Sequence, residues 1–141
     1  MVGIVLVTHG KLGEEMLRTA EGIVGPLENA RAVSIGTQES MEQIRQKMAT
    51  AIGEVDKSDG VLVLTDMFGG TPANLALTFL DERRVEVVTG ANLPMLLKLG
   101  TLRQEAATLG EVARLIAGYG QKNIVFASEL LGGARREGAR G

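Results

Sequence analysis

The chain predicts a doubly wound α/β fold: a sheet of four parallel strands with helices on both faces. Three observations carry the prediction. Four short β-branched runs alternate with helical patterns, each run is apolar on both of its faces, and the residues fit for chemistry fall where the first and third runs end. Continuous apolar runs joined by helical crossovers belong to parallel sheets covered on both sides, and the crossovers are right-handed.

The first strand is read at residues 2–8, Val2-Gly3-Ile4-Val5-Leu6-Val7-Thr8. The helix after it places Leu12, Met16, Ala20, Ile23 and Val24 on one face and stops at Gly25-Pro26, which disfavours continuation. A second strand at 31–35 leads to Ser40-Met41-Glu42-Gln43, the spacing of a capping box, and a helix expected to bury Met41, Ile44, Met48, Ile52 and Val55. The third strand, 61–65, precedes a helix with Thr71 as N-cap, Pro72 at the first helical position, then Leu75 and Phe79 inward. After a fourth strand at 85–89 come a short helix at 94–99, with Asn92 and Pro94 at its start, and another opened by Thr108-Leu109-Gly110-Glu111. The latter turns Val112, Leu115, Ile116 and Tyr119 inward. The apolar run Ile124-Val125-Phe126 reads as a fifth strand whose place in the sheet the pattern leaves open. Residues 1–130 form one domain, and the Gly- and Arg-rich residues 131–141 a flexible tail.

The bulk numbers narrow the function. The 141 residues are 45% hydrophobic and 23% charged, which suits one globular domain. A net charge of −2 provides no field for a nucleic-acid backbone, so nucleic acid is not an expected partner. With no cysteine, disulfides, thiolate catalysis and cysteine-ligated metals are excluded. The amino-terminal apolar run is too short and wrongly flanked for a signal peptide, and no run suggests membrane insertion, so the expected location is the cytoplasm.

His9 is the only histidine, and it stands where the first strand gives way to Gly10-Lys11-Leu12-Gly13. The third strand ends in Asp66-Met67-Phe68-Gly69-Gly70-Thr71. If these strands are neighbours at a topological switch point, His9 and Asp66 emerge side by side from the carboxyl edge of the sheet. A carboxylate on one ring nitrogen fixes the tautomer and leaves the other nitrogen as a neutral nucleophile. Gly69 and Gly70 admit close backbone approach, and the helix start at Thr71 adds unpaired amides and a hydroxyl, so the turn suits an anion. A nucleophilic histidine, an orienting aspartate and an anion cradle together describe phosphoryl transfer through a phosphohistidine. No carboxylate cluster offers a metal site, and no cofactor is called for. A two-component receiver domain shares the βα alternation but needs acidic residues where Thr8-His9 stand, and a hydrolase would need a nucleophile elbow that this chain lacks.

Three segments, Val7-Thr8-His9-Gly10, Thr65-Asp66-Met67-Phe68-Gly69-Gly70-Thr71-Pro72-Ala73-Asn74 and Thr89-Gly90-Ala91-Asn92-Leu93-Pro94-Met95-Leu96, resemble the signatures of the enzyme IIA component of the mannose (mannose-fructose-sorbose) family of the bacterial sugar phosphotransferase system. The similarity runs in register over nearly all of residues 1–130. The resemblance implies a cytoplasmic homodimer whose last strand, here near residues 124–126, runs antiparallel, and it leaves open whether that strand is exchanged between subunits. It implies that His9 is phosphorylated and Asp66 orients it, and that Gly69, Gly70 and Thr71 contact phosphate. The implied donor is histidine-phosphorylated HPr and the implied acceptor a histidine of enzyme IIB, with Met67, Phe68, Pro94 and Met95 as the docking surface for both. Some members continue into a fused IIB domain, whereas this sequence stops at Gly141, so a IIB protein in trans is expected. The alternative is a regulatory module of the same fold whose phosphorylation state controls a partner protein.

Overall fold

The computed structural model describes residues 1–80, 84–106 and 108–132. The elements run β1 (Gly3–His9), α1 (Leu12–Val24), β2 (Ala30–Ile35), α2 (Met41–Val55), β3 (Val61–Thr65), α3 (Gly70–Leu77), β4 (Val85–Thr89), α4 (Leu93–Glu105), α5 (Leu109–Lys122) and the short α6 (Ala127–Leu130). All four strands pair in parallel in the order β2-β1-β3-β4. The chain moves outward from β1 in one direction to β2 and in the other to β3 and β4, so the switch point lies between β1 and β3, as the sequence predicts.

Strand alternation divides the apolar side chains between two cores. Ile4, Leu6, Leu62 and Leu64 pack with Ala20 of α1, Leu96 and Leu99 of α4, and Val112 and Ile116 of α5. Val5, Val7, Val61 and Val63 face the opposite way, toward Ile44, Met48 and Ile52 of α2 with Leu75 and Phe79. Both faces of the sheet are thereby dry, which is why its strands are apolar throughout. The capping box of α2 is complete, with Gln43 N–H donating to Ser40 Oγ at 3.1 Å and Ser40 N–H to Gln43 Oε1 at 2.9 Å. Thr108 caps α5 through the Glu111 N–H, and Asn92 caps α4 through the Met95 N–H.

Several expectations are corrected. Among the described residues, 124–126 join no strand of this sheet. Ile124, Val125 and Phe126 are exposed and lead from the end of α5 into α6. Thr71 is not the cap of α3. The left-handed φ of +86° at Gly69 and +79° at Gly70 makes the entry turn, Gly69 is the N-cap, and Thr71 lies within the first turn. The helix over 94–99 extends to Glu105, with Leu99 and Leu102 buried in the core that α1 and α5 share. In α5 the buried row is Val112, Ile116 and Gly120, while Leu115 and Tyr119 are exposed. Gly120 suits that rotation, because a Cβ there would sit 2.5 Å from Met95 Sδ and 2.8 Å from its Cγ, and the buried Met95 side chain would have to shift. Met41, Leu12, Ile23 and Val24 also face solvent; of the predicted α1 stripe Ala20 is buried and Met16 packs against the core, with Gly13 and Leu17 completing the row. The predicted tail lies, from residue 133 onward, outside the described residues.

Candidate functional site

β1 and β3 are hydrogen-bonded neighbours, with Val7 opposite Thr65, so His9 and Asp66 leave the same edge together. His9 Nδ1 lies 2.9 Å from Asp66 Oδ2, and the backbone N–H of His9 donates to that same oxygen at 3.0 Å. Burial pushes the Asp66 carboxyl up, but the hydrogen bonds from the His9 ring and backbone outweigh it and hold the group below its usual value. Asp66 is therefore an acceptor-only carboxylate at neutral pH, and the ring nitrogen facing it must carry the proton. In the neutral imidazole that leaves the lone pair on Nε2.

The Nε2 edge faces the glycine turn. A Cβ added to Gly70 would stand 3.3 Å from His9 Cε1 and 3.4 Å from Nε2, so the ring rests against the entry of α3 at the distance a side chain would occupy. The first amides of α3 have no intrahelical partner, and the positive end of its dipole lies there. An anion at Nε2 would lie beside that end of the helix. The His9 side chain is 51% exposed and that of Asp66 11%, which leaves the imidazole reachable and its anchor sheltered.

A cleft of about 410 Å³ opens beside the ring, lined by His9, Gly10 and Thr71 with Ile35, Thr37, Glu39 and Met41 from the β2–α2 connection. Sequence reasoning missed this wall. Helical period turns Met41 inward, but as the first residue of α2 it lies past the sheet edge and is exposed. Glu39 holds the connection in place by accepting from the Gly36 N–H at 2.8 Å and from Lys47. Both bonds to its carboxylate, that from Gly36 first, lower its pKa.

Of the expected docking residues, Met67 and Phe68 project from the loop after β3, Phe68 at 79% exposure. Pro94 is half-buried in the first turn of α4 and does not line the cleft. Met95 is corrected: it is 2% exposed and packs under Gly120, because Asn92 caps α4 and turns its third residue into the core. Among the described residues no three of His, Cys, Asp and Glu gather as a metal site, and no helix is long and apolar enough to cross a membrane.

The family model described as PTS system fructose IIA component, EIIA-man, matches residues 3–117. The chain is 32% identical over 124 residues to the PTS system mannose-specific EIIAB component of Escherichia coli strain K12, covering 87% of this chain and 38% of that protein. It thus spans well under half the length of that relative. It is 29% identical over 132 residues to the PTS system fructose-specific EIIA component of Bacillus subtilis strain 168, covering 93% of this chain and 90% of the other. The crystal structure of phosphotransferase system component EIIA from Streptococcus agalactiae superposes with a TM-score of 0.83 at 26% identity, over 92% of this chain and 99% of that one.

Proposed function

The chain belongs to the EIIA-man family of phosphotransferase-system IIA components, and from that premise we propose that it is a phosphocarrier in sugar uptake, working through a phosphohistidine at His9. The Nε2 lone pair attacks the phosphorus of histidine-phosphorylated HPr. A new N–P bond forms as the donor's N–P bond breaks, and the donor imidazole leaves with its electron pair. The proton on His9 Nδ1 stays where it is, and Asp66 offsets the positive charge that the ring acquires. Gly69, Gly70 and Thr71 cradle the phosphoryl oxygens, and transfer to a histidine of enzyme IIB in trans is the same step in reverse. Met67 and Phe68 receive both partners, with Met41 across the cleft.

The observation that carries this reading is the 2.9 Å contact between His9 Nδ1 and Asp66 Oδ2, with the opposite edge of the ring turned to the α3 entry. The dimer is part of the same proposal. Residues 124–126 add to a second copy as an antiparallel strand, which is supported by three consecutive exposed apolar side chains followed by exposed Leu130 and Leu131.

The test is intact-mass analysis after incubation with phosphoenolpyruvate, enzyme I and HPr. One acid-labile phosphoryl group is expected on the wild type and none on His9→Gln, with the fold retained. Labelling of His9→Gln would move the nucleophile elsewhere. Adding enzyme IIB should then discharge the wild-type phospho-form; a phospho-form that persists would favour the regulatory alternative.

A further inference from the structure

His9 is held from the far side of the sheet by its neighbour in sequence. Thr8 is fully buried and points, with Leu6, toward α1, whereas His9 continues the Val5 and Val7 face toward α3. The Thr8 hydroxyl oxygen accepts the Gly13 N–H at 2.7 Å, and the hydroxyl lies 3.4 Å from the Gly10 carbonyl, to which it donates. Gly13 is in the first turn of α1, where amides lack intrahelical partners and where the N-cap residue Lys11 supplies no side-chain bond. A Cβ on Gly13 would stand 3.0 Å from Thr8 Oγ1, so helix and hydroxyl are in close contact.

The turn that carries the imidazole is therefore held at both ends. His9 N–H goes to Asp66, Gly10 N–H to Ile35 O at 2.9 Å, and Gly10 O and Gly13 N–H both to Thr8. Gly10 takes a left-handed φ of +55°, with no side chain of its own to hold it there. The neighbouring strand repeats the arrangement around the aspartate. Thr65, also fully buried, directs its hydroxyl at the Met67 carbonyl at 3.3 Å and so brackets Asp66.

We propose that Thr8 is a positioning residue for the reaction: its hydroxyl locks the Gly10–Gly13 turn and thereby holds the His9 ring with Nδ1 on Asp66 and Nε2 toward the entry of α3. The proposal rests on the phosphocarrier reading for its consequence in rate, but its geometric content is independent of that reading.

Because His9 is the only histidine, its two ring nitrogens can be read without ambiguity by ¹⁵N NMR of the full chain. The wild type should show a single Nδ1–H tautomer at neutral pH. Thr8→Val, which keeps the shape and removes the hydroxyl, should give a mixed tautomer population and a phosphorylation rate by HPr at least roughly tenfold lower. Thr8→Ser should restore both. Should Thr8→Val fail to fold, Thr8→Ser and Thr8→Ala carry the comparison. Wild-type nitrogen shifts in Thr8→Val would overturn the proposal, and so would a defect that serine does not repair, since the methyl and not the hydroxyl would then matter. A wild type that shows the single tautomer yet takes no phosphoryl group would sink the phosphocarrier reading while leaving this one to stand on the shifts.

Discussion

Two donors from His9 converge on Asp66 Oδ2, while the other carboxylate oxygen, Oδ1, is buried and has no hydrogen-bond partner among the described residues. That asymmetry matches the competition in this carboxyl: burial raises its pKa, and the two bonds from His9 lower it by more. Because the folded value lies below the unfolded one, the stability Asp66 contributes is fully present above about pH 4 and is lost as pH falls through the folded value. Asp66→Asn should therefore cost on the order of 1 kcal/mol at pH 7, with the difference in urea midpoint shrinking toward pH 3. The same variant should slow phosphorylation by roughly 10²-fold or more, because an amide can present its N–H to the ring and favour the wrong tautomer. The two glycines separate strain from contact. Both have left-handed φ, so alanine at either should cost roughly 1 to 2 kcal/mol. Only at Gly70 does the new Cβ meet the imidazole, so Gly70→Ala should lose far more phosphorylation than Gly69→Ala at equal thermal stability.

Helix α2 is the element whose start matters most to the site, since the connection before it forms one wall of the cleft. Its capping box satisfies two amides that would otherwise be unpaired. Ser40→Ala should lower stability by about 1 kcal/mol, read as a drop of roughly 3 to 5 °C in thermal midpoint, with little change in phosphorylation if Glu39 still holds Gly36. Phe79 lies just past α3, is 1% exposed, and closes the core under α2 with Arg45 over its ring at 4.5 Å. Phe79→Ala should cost roughly 3 to 5 kcal/mol in denaturant titration.

For the whole molecule, the two sheet edges differ. Along β2, Lys47 Nζ bonds the Ser34 carbonyl and Arg31 Nη1 the Ala30 carbonyl, cations that blunt an edge against pairing. β4 is the other edge. If residues 124–126 of a second copy pair there, Phe126→Glu should shift the sedimentation coefficient to that of a monomer without lowering monomer stability. An unchanged dimer would place the interface elsewhere. The alternation of apolar runs, the capping signals at Ser40, Asn92 and Thr108, and the strand-end positions of His9 and Asp66 could all be read along the chain, because each is written in side-chain type and short-range spacing. Helix rotation was not legible: whether Leu115 or Gly120 faces inward depends on what α4 presents, and Met95 looked like surface until Asn92 and Gly120 turned it into the core. Neither was the cleft wall at Thr37 and Met41, which exists only because β2 lies beside β1. Sequence by itself determined the four parallel strands and singled out His9 and Asp66; only the tertiary structure decided that the two meet and which edge of the imidazole stays free, since that depends on a hydrogen bond between residues 57 positions apart.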